Sequence, residues 1–138
     1  MFPQFQDHLP PIVVSETEQQ RLTTLAAASE LLLRARDVAR YLLSELERAA
    51  VVPDGSVPPD VVRMHSSVDF KVDGRHRRRI ELVFPRKANI GEGRISILTP
   101  VGTALLGLSP GQSIPVVGND GQEHTLTVIA VTEPPAAR

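Results

Sequence analysis

The chain has 138 residues, a net charge of −1, no cysteine or tryptophan, one tyrosine and four phenylalanines. That length holds one ordinary domain, or a compact domain with a small appendage. The missing thiols exclude disulfides, thiolate metal sites and cysteine nucleophiles, and the near-zero charge creates no overall field for nucleic acid or membrane.

Residues 1–14 read as an irregular, proline-punctuated arm with Ile12, Val13 and Val14 as a short strand or apolar latch. Its prolines and aspartate do not suit a secretory signal, and no run in the chain approaches the roughly 20 apolar residues of a membrane span. A soluble, cytoplasmic protein is expected. Charge divides unevenly: five arginines face nine acids over residues 1–60, and ten basic residues face seven acids over 61–138. Two parts with different surroundings follow from this asymmetry.

Ser15 and Glu18 form a capping box at the head of a glycine- and proline-free run reaching about Ala50. Leu22, Leu25 and Ala26, and then Leu31, Ala35, Val38, Leu42, Leu46 and Ala49, recur at three- and four-residue steps. A single helix of this length would span about 50 Å and leave its stripe wet. The pattern therefore predicts a short antiparallel helical hairpin over 15–52, turning between Ala28 and Leu33. Pro53, Asp54-Gly55 and Pro58-Pro59 mark a linker over 53–60.

From 61 to 133 the pattern changes to period two. Val68, Phe70 and Val72 alternate, Asp73-Gly74 turns, and Ile80, Leu82 and Phe84 return. A strand over Arg94–Leu98 leads to Thr99 as N-cap, Pro100 as first helical residue and Gly107 as left-handed C-cap. Ser109-Pro110-Gly111-Gln112 suits a type II turn, and 113–117 and 122–133 form a last hairpin. The fold class expected is α+β, a helical hairpin followed by an antiparallel sheet carrying one short helix, with a frayed tail at 134–138.

Reactive constellations are scarce. His8, His65, His76 and His124 show no metal-ligand spacing, so no metal or cofactor is expected. Ser66, Ser67, Ser96 and Ser113 lack a nucleophile elbow, and the glycines of "NIGEGRI" and "GNDGQ" do not make a phosphate loop. The strong charge feature is Arg75, His76, Arg77, Arg78 and Arg79. It reads as a solvated strand end, or as a basic patch joined by Arg63, Arg86, Lys87 and Arg94. Without interleaved aromatics to stack bases, direct nucleic-acid contact is expected to be weak or absent.

"SETEQQRLTTL", "ELERAAVVP", "RIELVFP" and above all "ISILTPVGTALLGLSPGQSI" resemble the regulator of nucleoside diphosphate kinase family, allied to the bacterial GreA/GreB transcript-cleavage factors. The resemblance runs from about Pro11 to Glu133. It implies a GreA/GreB C-terminal domain with an FKBP-like arrangement, and a non-enzymatic regulator docking on RNA polymerase at the rim of its secondary channel. The docking loop it implies corresponds to Thr99, Pro100 and Val101, with Leu98 where the cleavage factors carry an acidic or amide residue. Those factors end a long coiled coil in two acidic residues that hold a catalytic Mg²⁺. Here the tip "AAASELLLRA" offers Glu30 alone, so no cleavage activity is expected. Two other readings stand beside this one: a prolyl isomerase, disfavoured by the few aromatics, and a homodimer paired through Leu32, Leu42 and Leu46.

Overall fold

Residues 9–134 are described by the structure, a computed structural model; the expectations for residues 1–8, including His8, and for the tail at 135–138 lie outside them. A five-stranded sheet is built from β3 (Ser67–Val72), β4 (His76–Val83), β5 (Arg94–Ser96), β6 (Ser113–Val117) and β7 (Glu123–Thr132), in the order β5-β4-β3-β7-β6. The β3–β4 and β6–β7 pairs are the expected hairpins, and Asp73 and Gly74 both take positive φ at the first turn. A register shift between Asp69 and Phe70 marks the β3–β7 pairing.

The sheet is mixed rather than purely antiparallel, because β5 runs parallel to β4 with Leu82 opposite Ile95. Pro85 has no N–H to continue the β4 ladder, and two single 3-10 turns, Pro85–Lys87 and Ile90–Glu92, bring the chain back along the edge before β5 starts. β5 is also shorter than expected. After Ser96 the backbone bends, and the Ser96 hydroxyl accepts from the Leu98 N–H at 2.9 Å.

Ahead of the sheet lie β1 (Val13–Ser15), α1 (Glu16–Ser29), α2 (Arg36–Arg48) and β2 (Ala50–Val52). The break between the helices covers residues 30–35, overlapping the expected turn at Ala28 to Leu33 but displaced by two residues. The second helix stops before Ala50, however, and Ala50, Val51 and Val52 pair in parallel with Val13, Val14 and Ser15. Two β-branched valines favour this extended form, and the Ala50 N–H donates to Ile12 O at 2.9 Å.

Half of the capping box forms as expected: Ser15 caps α1 by accepting from the Glu18 N–H. The Glu18 carboxylate does not reach back; it accepts from the Met64 N–H at 3.3 Å and sits 3.5 Å from the Arg63 guanidinium. Burial raises its pKa against the opposing pull of the Met64 N–H and Arg63. Asp54 likewise accepts from the Thr17 N–H and hydroxyl, so the proline-rich segment is tied to the head of α1.

The helices and the sheet share one core. Leu22, Ala26, Ala39, Leu42 and Leu46 pack into the same cluster as Phe70, Leu82, Ile97, Leu105, Leu106 and Leu126. Leu42 and Leu46 are at most 2 % exposed. They therefore offer no stripe for a second copy, and the homodimer reading loses two of its three leucines. Leu31, counted on that stripe by periodicity, lies instead in the connection between the helices, and Ala39 takes the buried place.

α3 (Pro100–Leu105) lies over the sheet with Ala104, Leu105 and Leu106 fully buried. Gly107 has the expected left-handed backbone but does not cap the helix. Its N–H donates to Val62 O and its carbonyl accepts from Val13 N–H, and a Cβ here would lie 2.8 Å from Ile12 Cβ. It is the point where the arm crosses the end of α3. Ser109 O accepts from the Gln112 N–H, closing the turn that leads to β6.

Candidate functional site

The turn into α3 is a corner held by side chains. Thr99 accepts from the Gly102 N–H at 3.0 Å as N-cap, and its hydroxyl donates to Ser96 O at 2.7 Å. The buried Thr103 hydroxyl donates to Ile97 O at 2.7 Å. Gly102 sits directly over the bend, where an added Cβ would fall onto the Ser96 carbonyl oxygen. These contacts leave Leu98, Thr99, Pro100 and Val101 half-buried, fixed in backbone yet presented at the surface.

Thr99 and Pro100 form a ridge between two depressions. On one side is an apolar pocket of about 240 Å³ lined by Phe70, Ile80, Ile95 and Val101, with Arg78 and Arg94 also in its wall. On the other is a cleft of about 450 Å³ against α2, lined by Arg34, Asp37, Val38, Tyr41 and Leu98. Gly118 and Asn119 of the β6–β7 turn contribute to both. Burial, with the nearby Glu45 carboxylate, pushes the Tyr41 hydroxyl above its ordinary range, so it stays protonated at neutral pH.

The basic run does not act as one patch. Strand alternation sends neighbouring side chains to opposite faces. Arg77 and Arg79 reach Asp69 at 3.8 and 3.2 Å, while Arg78 stands opposite Phe70 and enters the wall of the apolar pocket. Arg75 lies exposed in the turn. Arg63 is engaged with Glu18, and Arg94 donates to Lys87 O and pairs with Glu92. The structure thus joins one member of the run, Arg78, to the Leu98–Val101 corner.

His65 packs its ring 5.8 Å from Phe84, and His76 is exposed at the start of β4. His124 bridges two turns: Nδ1 lies 2.7 Å from Asp73 Oδ2 and Nε2 lies 2.9 Å from Asp120 Oδ2. Hydrogen bonds to these carboxylates, Asp73 first, raise the His124 pKa; the bond to His124 lowers that of Asp73, and the Gln122 N–H, followed by His124, lowers that of Asp120. Among the described residues no group of three or more His, Asp or Glu is arranged to hold a metal, and no helix is long and apolar enough to cross a membrane.

Sequence reasoning missed Arg34, Asp37, Tyr41 and Asn119 as neighbours of the corner. Helical periodicity assigns α2 an apolar and a polar face, but it does not say which sheet loop the helix meets.

Comparison with known proteins places this geometry in a family. Residues 57–133 match the model for the transcription elongation factor GreA/GreB C-terminal region, and residues 10–52 match that for the Rnk N-terminus. The chain is 36 % identical over 107 residues to the regulator of nucleoside diphosphate kinase of Escherichia coli K12, covering 76 % of each. It is 35 % identical over 78 residues to GreA of Roseiflexus castenholzii, covering 56 % of this chain and 50 % of that one. A solved structure of a prokaryotic transcription elongation factor GreA/GreB from Nitrosomonas europaea superposes with a TM-score of 0.67 at 36 % identity, covering 89 % of this chain and 98 % of that one.

Proposed function

The chain belongs to the GreA/GreB transcription elongation factor family and carries the N-terminal part of the regulators of nucleoside diphosphate kinase, and from that membership we propose a non-enzymatic transcription regulator that docks on bacterial RNA polymerase through Leu98–Val101. The observation that carries this reading is the corner itself. Thr99, Pro100 and Val101, the residues that correspond by resemblance to the family's docking loop, follow a bend fixed by Ser96, Thr99 and Thr103, and Thr99 and Pro100 stand between two depressions. A rigid ridge loses little freedom on binding, which favours its use as a contact. Effects on nucleoside diphosphate kinase are then indirect, through transcription.

Lack of transcript cleavage is supported by the connection between the helices. α1 and α2 have 14 and 13 residues, or about 20 Å each. The connection carries Glu30 with no second carboxylate beside it, and Glu30 is held by Arg40 at 3.0 Å. Nothing there resembles a pair of free acids able to share a Mg²⁺ ion. The apolar pocket has Phe70 as the one aromatic in its wall, so a prolyl isomerase reading gains no support from it.

Titration of core polymerase with the labelled chain tests the docking. Pro100→Asp places an unpaired charge on the ridge and is expected to weaken binding by at least about tenfold with the thermal midpoint little changed. Unchanged affinity would move the interface off the corner. Backtracked complexes should show no added transcript cleavage; robust cleavage would overturn the non-enzymatic reading.

A further inference from the structure

The apolar pocket beside the corner contains a charge that the rest of the fold does not use. Ile80 and Leu82 of β4 turn inward and are buried, and strand alternation puts Arg78 on that same face, directly opposite the buried Phe70. The core side of an antiparallel strand ordinarily carries apolar residues. Here a guanidinium enters the wall of a pocket of about 240 Å³ formed with Phe70, Ile80, Ala88, Ile90, Ile95 and Val101. Ile90 lines this pocket while remaining exposed, so the apolar wall reaches solvent.

Among the described residues the Arg78 side chain has no ion pair and no hydrogen bond, whereas Arg77 and Arg79 of the same strand share Asp69. The other cation in the wall, Arg94, is already engaged: it pairs with Glu92 at 2.8 Å and donates to Lys87 O at 3.0 Å. Asn119 also lines the pocket, and its side-chain amide has no hydrogen-bond partner among the described residues, while the adjacent Asp120 is held by His124 at 2.9 Å. The wall thus offers one uncommitted cation and one free amide around an apolar interior. A guanidinium fork meets a carboxylate through two parallel N–H···O bonds, and a lone one balances a single negative charge. Since an apolar cavity of about 150 Å³ takes a benzene-sized body, about 240 Å³ has room for such a body together with its carboxylate.

We propose that this pocket is a binding site for a small monocarboxylate with a compact apolar body, aryl or branched aliphatic, whose carboxylate pairs with Arg78 and accepts from the Asn119 amide while its body packs against Phe70, Ile80 and Ile95. A phosphate monoester fits less well, because its second charge would find Arg94 already balanced by Glu92. Thr99, Pro100 and Val101 also line the pocket, so an occupant touches the residues assigned to docking. Ligand binding itself does not depend on that assignment.

Titration of the full chain with phenylacetate and with isovalerate, followed by amide NMR, tests the site without polymerase. Saturable shifts at the Ile80, Ile95, Val101 and Asn119 amides are expected, with a dissociation constant on the order of 1 mM for the better of the two acids. Phenylacetamide, which lacks the charge, and acetate, which lacks the body, should each bind at least about tenfold more weakly, and phenyl phosphate no more tightly than phenylacetate. Arg78→Gln should lose about tenfold in affinity at an unchanged thermal midpoint, while Arg77→Gln, on the opposite face of β4, should bind as wild type. No saturable shift from either acid overturns the proposal. Equal binding of phenylacetamide also overturns it, since the pocket would then be a general apolar cavity, and so does tighter binding of phenyl phosphate. Weakened polymerase binding by Arg78→Gln, with neither acid bound by wild type, would assign the pocket to the docking surface instead.

Discussion

The turn into α3 and the connection between α1 and α2 are both short bends beside the same cleft, yet they are built by opposite means. At the turn into α3, Ser96, Thr99 and Thr103 side chains satisfy the bend's backbone groups, and Gly102 leaves no room for a Cβ. In the helix connection no side chain caps the 3-10 turn Leu33–Ala35, and its leucines face water. The first region resists substitution because its shape depends on its residues. The second has no such dependence, since no side chain caps its 3-10 turn. Side-chain identity thus sets the shape of one bend and not of the other.

The largest effect expected on that contrast comes from Gly102→Ala. The new methyl meets the Ser96 carbonyl, which is backbone and cannot swing aside. Overpacking of this kind costs on the order of 3 kcal/mol. Chemical denaturation should show that loss, and docking should weaken with it because the ridge is displaced. A variant as stable as wild type would show that the bend shifts easily and that the corner is not rigid.

Thr99→Ala comes next. It removes the N-cap of α3 and the hydroxyl that donates to Ser96 O, and caps of this type contribute about 1 kcal/mol. A comparable loss in denaturation, with binding reduced less than by Pro100→Asp, is expected. A loss near zero would mean that Pro100 and the buried apolar side of α3 hold the corner without the cap.

How far the sequence anticipated these regions depends on how local their determinants are. Thr99, Pro100 and the helix they start could be read directly, because a cap and the residues it serves lie within four positions of each other. The break between α1 and α2 was legible for a similar reason, since one long helix could not bury Leu22 and Leu46 together. Leu31 was misassigned because a three- and four-residue rhythm continues across a bend that interrupts the helix. Gly107 was read as a cap, whereas its real constraint is Ile12, 95 positions away in the chain. The split of the arginine run followed from strand alternation, but its outcome needed Asp69 and Phe70 on the neighbouring strand. The parallel entry of β5 had no local signature, since nothing in Arg94–Ser96 specifies direction.

A third wall of the surface carries a charged tie in addition to its backbone hydrogen bonds, and it gives the smallest expected effect. Gly118 and Asn119 close both depressions, and the turn they belong to is tied to the β3–β4 turn by His124 between Asp73 and Asp120. Both ring nitrogens face carboxylates, so the tie is complete when the imidazole is protonated. The His76 side chain also faces Asp73 and adds a small electrostatic pull that lowers the carboxyl's pKa. Because the folded pKa of His124 lies above its ordinary 6.5, the contribution is fully present below that value and is lost as pH rises through the folded pKa. For Asp73 and Asp120, lowered from 3.8, it is present above the ordinary value and lost as pH falls through the folded one. The tie is therefore strongest in mildly acidic solution, and its solvent-exposed partners keep its share of stability small. Proton NMR titration should find His124 above 6.5 and moved down by Asp120→Asn, with the Gly118 and Asn119 amides titrating alongside. His124 titrating at its ordinary value, or silent amides in that turn, would show that the wall is set by the β6–β7 backbone and not by the histidine.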